Sequence, residues 1–378
     1  MYHVKTMNKI SKIGLAELDD RFEISDTMEH EDAILVRSAK LHDYDFPAEL
    51  LCIARAGAGV NNIPLDRAAE AGIVVFNTPG ANANGVKELT IAALLLASRK
   101  ISQGITWVKE QAAAGADVAA VVEKGKAAYV GPEIQGKTLG VVGLGAIGVL
   151  VANAAAALGM QIVGYDPFLS VQHALNLTPG VKVVSTLEEL YGQADYISLH
   201  LPVTPETKGT LNDAAFAAMK DGVRIVNLAR GELVDTEALK AALASGKCAA
   251  YVTDFPNSET AAMEGVVAIP HLGASTPESE DNCAMMAARQ VRDYLDNGNI
   301  VNSVNLPVLS MAWAAKNRVC VLTKGADAAA IAAAVPAVAS ASYTRGDHLY
   351  IPQDTEAHVD AAAIAAMPGV LRVRVLHQ

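Results

Sequence analysis

The chain has 378 residues, more than one hydrophobic core usually organises, so we expect two or three domains. It carries 41 acidic and 30 basic residues, a net charge of -11, and no run rich in lysine and arginine, which argues against nucleic acid or an anionic membrane as a partner. The N-terminus is charged where a secretory signal would be apolar, and no stretch approaches the ~20 apolar residues of a membrane span, so a cytoplasmic protein is expected.

Short β-branched runs alternate with helical stretches rich in alanine and leucine, which predicts an α/β fold with parallel sheets. The first strands are expected at 33–38, 51–57 and 72–77. Helices are expected near 84–99 and 101–113. An exposed segment without chemistry of its own should follow at 114–130.

A second series of strands begins at Thr138 and predicts a complete doubly wound sheet. Its seven predicted strands are 139–143, 161–166, 181–184, 196–200, 224–228, 250–254 and 266–270. A long helix at 277–297 should then carry the chain back to the first unit, which would make that domain discontinuous. We therefore predict a smaller, flavodoxin-like substrate domain at 1–91, completed by 281–308, and a Rossmann-type nucleotide domain at 92–280.

The last part of the chain, residues 316–378, is expected to form a separate module. Its pattern predicts a strand, a helix, two strands about Asp347, a second helix and a last strand. This βαββαβ order is similar to that of ACT-like regulatory domains. The first turn, Thr323–Asp327, lacks the Asn-x-x-Pro-Gly ligand loop of such domains, so feedback control through a small ligand bound at this turn is not expected.

A glycine-rich turn follows the first strand of the second series and opens a helix. In this turn Gly143 permits the tight bend, Gly145 lets the backbone approach a pyrophosphate, and Gly148 lets the helix pack closely. Asp166 ends the next strand at the offset expected for the carboxylate that accepts hydrogen bonds from an adenosine ribose. Because no arginine or lysine follows Asp166 to pair with a 2′-phosphate, NAD is the predicted cofactor.

Three polar residues follow later strands, where open α/β sheets bind their ligands. Arg230 can hold a carboxylate and polarise a developing carbonyl. His271 can exchange the hydroxyl proton that moves when hydride moves. Glu259 could orient the imidazole, with Glu264 as the rival. The four cysteines lie far apart without Cys-x-x-Cys spacing, so buried free thiols are expected rather than a disulfide framework or a metal site.

Three motifs in order resemble the D-isomer-specific 2-hydroxyacid dehydrogenases: the turn at 143–148, the run at 227–235 and the run at 270–276. The resemblance covers about residues 1–308 and implies an Arg/Glu/His catalytic set at Arg230, Glu259 and His271, with NAD between two domains. It implies further cofactor contacts from Ala146, Ile147, Asp166, Pro202, Thr207, Leu228, Ala229, Asp254, Gly273 and Ala274. In the first domain, motifs similar to the substrate side of the family include Arg37, Ser38, Arg55, Gly57 and Asn82.

Arg37 and Arg55 each end a strand, so their guanidinium groups could converge on a phosphate while loop amides and Asn82 hold a carboxylate. The expected substrate is therefore a phosphorylated 2-hydroxy acid, with 3-phosphoglycerate the best candidate, in a homodimer or higher homo-oligomer. A glyoxylate or hydroxypyruvate reductase, which needs no phosphate contact, is the alternative within the family. An NAD-sensing module similar to the corepressor relatives is the alternative of another class.

Overall fold

The computed structural model describes residues 1–378, which form two compact units. Unit 1 comprises Met1–Asn82 and Pro277–Gln378, and unit 2 comprises Ala83–Thr276. No helix is long and apolar enough to span a membrane. The α/β class and the parallel sheets predicted from the sequence are confirmed.

The first part of unit 1 is built on a five-stranded parallel sheet with the order β2-β1-β3-β4-β5. Its strands are β1 (Tyr2–Met7), β2 (Phe22–Ser25), β3 (Ala33–Val36), β4 (Cys52–Arg55) and β5 (Val74–Phe76), with the short helices α1 (Lys12–Leu15) and α2 (Leu65–Glu70). Residues 33–36 of β3 are buried throughout, which is why their continuous apolar run marks a strand covered on both faces.

Unit 2 contains the predicted seven-stranded parallel sheet, with the order β12-β11-β10-β9-β6-β7-β8. The strands are β6 (Thr138–Val142), β7 (Gln161–Tyr165), β8 (Lys182–Val183), β9 (Tyr196–Leu199), β10 (Val223–Asn227), β11 (Cys248–Thr253) and β12 (Val266–Ala268). The order reverses between β6 and its neighbours β7 and β9. This is the position at which doubly wound sheets bind nucleotides.

The helices of unit 2 are α3 (Ala83–Ser98), α4 (Ile101–Ala113), α5 (Val118–Gly125), α6 (Ala146–Ala157), α7 (Val171–Leu175), α8 (Leu187–Gln193), α9 (Asp213–Ala218) and α10 (Thr236–Ala244). Of these, α4, α5 and α7 have no buried residues. One core contains α3 and α6, and the other contains α8, α9 and α10. The segment expected to be an exposed excursion does lack buried residues, but α5 and a 3-10 turn at Lys126–Tyr129 make most of it helical.

The chain returns to unit 1 through α11 (Pro277–Asn297), a helix with the predicted bounds. The tail then forms β13 (Asn317–Lys324), α12 (Ala328–Ala333), β14 (Ala339–Ser340), β15 (Tyr343–Arg345), β16 (His348–Thr355), α13 (Ala361–Ala365) and β17 (Val370–His377). The strands make an antiparallel sheet with the order β14-β16-β13-β17, and β15 also pairs with β16. The short strand β14 was not predicted.

The tail sheet shares a hydrophobic core with the first sheet of unit 1, to which it contributes Cys320, Leu322, Tyr350 and Leu376. A buried ion pair joins Arg318 to Asp354 through two contacts, at 2.7 and 2.9 Å. Arg318 also donates to the carbonyl oxygens of Asn297 and Met311 at 2.8 and 2.7 Å. The tail is therefore attached to the carboxyl end of α11 by polar contacts as well as by apolar packing.

Candidate active site

The glycine-rich turn of unit 2 has the backbone geometry that a nucleotide-binding turn needs. Gly143 has a φ of +94°, and a Cβ there would lie 2.5 Å from the carbonyl oxygen of His200. A Cβ on Gly148 would collide with the carbonyl oxygen of Gly143. At Gly145, by contrast, a Cβ would meet no atom within 4 Å. Gly143 and Gly148 are thus required by the fold, whereas the space at Gly145 is open to a ligand.

The N-terminus of α6 is suited to binding an anion. Gly145 is its N-cap and supplies no side-chain hydrogen bond, so the first backbone N–H groups of the helix are free to bind a pyrophosphate. Asp166, after β7, accepts hydrogen bonds from the backbone N–H of Leu144 at 2.9 Å and of Phe168 at 2.8 Å. These bonds orient the carboxylate, and its remaining lone pairs can accept hydrogen bonds from ribose hydroxyls. The residues therefore fit an NAD molecule.

The other predicted cofactor residues of unit 2 lie in the loops that follow strand ends. The hydroxyl of Thr207 donates to the carbonyl of Pro202 at 2.6 Å and so closes the loop after β9. Leu228 and Ala229 follow β10, Asp254 follows β11, and Gly273 and Ala274 follow β12. Because parallel strands end at the same edge of a sheet, all of these residues belong to the edge that carries the glycine-rich turn.

Asn227, the last residue of β10, holds the loop that carries Arg230. Its buried amide donates to the carbonyl of Arg230 at 2.7 Å and to the hydroxyl of Tyr251 at 3.1 Å, while its oxygen accepts from the N–H groups of Ala229 and Arg230. No role for Asn227 was predicted from the sequence. An asparagine at a strand end that bonds to the next residues of its own chain is a known turn-forming device and could have indicated one.

Arg230 and His271 both contact the ring of Phe255. The guanidinium carbon of Arg230 lies 5.2 Å from the ring centroid, and the imidazole and phenyl centroids are 4.3 Å apart. Phe255 therefore holds the two polar groups at neighbouring positions on one aromatic side chain. Phe255 was not predicted to be a site residue, because an aromatic residue after a strand is ordinarily a core residue.

Glu259 and Glu264, the two carboxylates considered as partners of His271, are both exposed rather than buried. Glu259 forms an ion pair with Lys240 at 3.5 Å, and its side chain is 49% exposed. Glu264 is exposed on the turn before β12. A third carboxylate, Asp254, is 1% exposed and accepts a hydrogen bond from the N–H of Gly273 at 3.1 Å. His271 lies close enough to Asp254 for its charge to lower the pKa of this carboxyl group. Burial raises the pKa of Asp254, and both of those neighbours oppose the rise.

Unit 1 contains a separate cluster of the predicted substrate residues. Arg37 follows β3 and Arg55 ends the adjacent β4, and the Nε of Arg55 donates to the carbonyl of Arg37 at 3.1 Å. The Arg55 guanidinium lies over the α-carbon of Gly57, which has a φ of +147°, so that a Cβ at Gly57 would collide with it. Gly57 is thus needed to seat Arg55.

Ser38 and Asn82 have more peripheral positions in unit 1. The N–H of Ser38 donates to the side-chain oxygen of Asn8 at 2.9 Å, and Asn8 has a left-handed φ of +72°. Asn82 is half-buried in the turn before the chain enters unit 2. Two residues of this cluster were not predicted from the sequence: Asn8, which shapes the turn that carries Arg37, and Glu280, which pairs with Arg37 at 2.7 Å.

Comparison with known proteins identifies the scaffold. Residues 91–273 match the family model described as "D-isomer specific 2-hydroxyacid dehydrogenase, NAD binding domain". The chain is 38% identical over 291 residues to D-3-phosphoglycerate dehydrogenase of Rattus norvegicus, an alignment that covers 75% of this chain and 52% of the rat protein. The chain thus spans about half the length of that relative.

Solved structures show the same fold. An NAD+-bound 3-phosphoglycerate dehydrogenase of Entamoeba histolytica is 27% identical, with a TM-score of 0.61 and coverage of 82% of this chain and 99% of that one. A glyoxylate reductase of Paecilomyes thermophila is 28% identical, with a TM-score of 0.66 and coverage of 80% and 98%. The prediction of NAD as the cofactor is confirmed. Unit 2 is therefore similar to the NAD-binding domain of the D-isomer-specific 2-hydroxyacid dehydrogenases.

Proposed function

We propose that this chain is an NAD-dependent dehydrogenase that oxidises D-3-phosphoglycerate to 3-phosphohydroxypyruvate, the entry to serine synthesis. The observation that carries the proposal is the 35 to 40% identity to relatives named D-3-phosphoglycerate dehydrogenase, over 75 to 82% of this chain. The overall fold alone does not select this substrate, because the glyoxylate reductase structure matches about as well.

The basic cluster of unit 1 supports a phosphorylated substrate. Arg37 and Arg55 end neighbouring strands, and the Arg55 side chain is bonded to the Arg37 backbone, so the two cations are held near each other. Guanidinium groups bind phosphate through paired, charge-assisted hydrogen bonds. A glyoxylate or hydroxypyruvate reductase has no phosphate to place there. We propose that the carboxylate end of the substrate also contacts unit 1, through Ser38, the loop at Gly57 and Asn82.

In the proposed reaction His271 accepts the proton of the 2-hydroxyl group on its imidazole. Arg230 binds the substrate carboxylate and stabilises the carbonyl oxygen that develops at C2. Phe255 keeps the imidazole and the guanidinium in place, and Glu259 is the proposed positioning carboxylate for His271. When bound, NAD supplies the hydride acceptor. The residues proposed to hold it are the glycine-rich turn, the N-terminus of α6 and Asp166, with Asp254 and the loops at 202–207, 228–229 and 273–274.

A turnover panel tests the substrate directly. D-3-phosphoglycerate, D-glycerate, glyoxylate and hydroxypyruvate should be assayed with NAD(H) and with NADP(H). The proposal expects the highest kcat/KM with 3-phosphoglycerate and NAD. Because Asp166 would repel a 2′-phosphate, the preference for NAD should be tenfold or more, on the order of 1.4 kcal/mol. Faster turnover of glyoxylate or hydroxypyruvate would favour the reductase, and no turnover of any of these acids would favour an NAD-sensing module.

Truncation of two arginines separates the ends of the substrate. Arg55→Ala should raise KM for 3-phosphoglycerate by roughly tenfold or more, since a charge-assisted hydrogen bond contributes about 1.5 to 3 kcal/mol. It should change the kinetics of D-glycerate far less. Arg230→Ala should impair both acids, in kcat as well as KM, because its contact strengthens as the carbonyl forms. An equal loss for both acids in Arg55→Ala would assign Arg55 to the carboxylate end.

The finer assignments of architecture and assembly are also proposals. We propose that the first part of unit 1 is a flavodoxin-like substrate domain and that residues 316–378 are an ACT-like module. The antiparallel sheet with two helices supports the second assignment. A cytoplasmic homodimer or higher homo-oligomer is proposed, which size-exclusion chromatography with light scattering would test. A monomer at micromolar concentration would contradict it.

A further inference from the structure

The basic cluster of unit 1 includes its own carboxylate. Glu280, in the first turn of α11, forms an ion pair with the guanidinium of Arg37 at 2.7 Å. Their side chains are 45% and 41% exposed, so the pair lies at the protein surface and is accessible to a solute. The contact joins residues 243 positions apart in sequence only because α11 packs against the sheet that contains β3.

Cys283 shows that these charges lie together. Burial raises the pKa of this thiol, which lies one turn along α11 from Glu280. The nearby charges of Arg55 and Arg37 lower the same pKa, and the charge of Glu280 raises it. The local set therefore consists of two guanidinium groups and one carboxylate, with a net charge of one positive unit. When a phosphate dianion approaches Arg37 and Arg55, Arg37 is already paired with Glu280, and the carboxylate of Glu280 repels the phosphate.

We propose that Glu280 is a specificity-determining residue of the substrate site, an internal counter-ion that competes with the substrate phosphate for Arg37. This inference rests on the proposed function of Arg37 and Arg55 as the phosphate-binding pair. Glu280 lowers the affinity of the cluster for phosphate and thereby sets KM for the phosphorylated acid. It has no such effect on an acid without phosphate.

The position of Glu280 in the first turn of α11 does not by itself explain its pairing with Arg37. A carboxylate in the first turn of a helix is favourable through the helix dipole, and Glu278 also supplies one in this turn. Glu278 is exposed and forms none of the ion pairs of unit 1. It is therefore a matched control, with the same charge on the same turn but without the contact to Arg37.

The test compares Glu280→Gln with Glu278→Gln in the full chain. Glutamine keeps the size of the side chain and removes its charge. Glu280→Gln should lower KM for 3-phosphoglycerate about two- to fivefold, the range for a half-exposed ion pair, with kcat and the KM for D-glycerate unchanged. Glu278→Gln should change none of these values by more than about 1.5-fold. Thermal unfolding of each variant should show that the fold is intact.

A binding arm separates this inference from the proposed function. Isothermal titration of inorganic phosphate into each full-length variant needs no turnover, and Glu280→Gln should bind phosphate about two- to fivefold more tightly than the parent protein. If that holds while 3-phosphoglycerate is not a substrate, the proposed function fails and the role of Glu280 stands. Unchanged phosphate affinity in Glu280→Gln, or an equal gain in Glu278→Gln, would overturn the role of Glu280.

Discussion

Gly145 and Gly148 allow cofactor binding to be separated from folding by the same substitution at two sites. At Gly145 an added methyl group meets no atom within 4 Å, and the residue has extended backbone angles, φ -76° and ψ -162°, that alanine also adopts. Alanine is a poorer N-cap than glycine, but it also restricts the unfolded chain, and the two effects nearly cancel. We therefore expect Gly145→Ala to change the free energy of unfolding by about 0.5 kcal/mol or less.

Gly148→Ala should instead lower the free energy of unfolding. Its methyl group would collide with the carbonyl oxygen of Gly143, a backbone atom that cannot move independently of the turn. Overpacking of this kind costs about 1 to 3 kcal/mol of stability. Gly145→Ala should instead weaken NAD binding by roughly 10- to 100-fold, about 1.4 to 2.7 kcal/mol, because its methyl group occupies the space through which the pyrophosphate reaches the backbone.

Urea denaturation without cofactor measures the first quantity, and titration calorimetry with NAD measures the second. The parent protein is the reference in both, and each variant should be titrated well below its unfolding midpoint. A Gly145→Ala protein that binds NAD as tightly as the parent would refute the placement of the pyrophosphate at this turn. A Gly148→Ala protein of unchanged stability would refute the packing argument.

Further predictions concern catalysis, pH and the tail. His271→Ala should lower kcat by roughly 10² with NAD affinity nearly intact, and an unchanged kcat would remove His271 from the mechanism. Glu259→Gln should shift the pH profile of kcat/KM whereas Glu264→Gln should not; the reverse result would exchange their roles. Burial lowers the pKa of His200 to about 4. Since the unfolded chain then binds more protons, unfolding free energy should fall by up to ~3 kcal/mol between pH 6.5 and 4, and His200→Gln should flatten this slope in urea titrations. Arg318→Ala should cost about 3 to 5 kcal/mol in the same assay because it leaves Asp354 buried without its cation, and a loss below 1 kcal/mol would show that the pair is dispensable.

The strands of unit 2 could be predicted because parallel strands covered on both faces are continuous apolar runs, as in residues 139–142 of β6, which are buried throughout. The edge of the first sheet was less visible. β1 has a single fully buried residue, Val4, among half-exposed neighbours, and β2 is similar, so neither has the apolar run that marks β3. The short strand β14 has only two residues and is defined by its pairing with β16.

The sequence by itself determined the glycine-rich turn, the adjacent Asp166 and the candidate polar residues at the strand ends, because each of these depends on local chain geometry and on the direction of a parallel strand. The partners of those residues were decided only by the tertiary structure. Glu259 pairs with Lys240, and Phe255 is the side chain that Arg230 and His271 share. The pairing of Arg37 with Glu280 likewise depends on the return of α11 to the first sheet. Side-chain contacts of this kind follow from how distant elements pack, and the spacing of residues along the chain does not encode that packing in readable form.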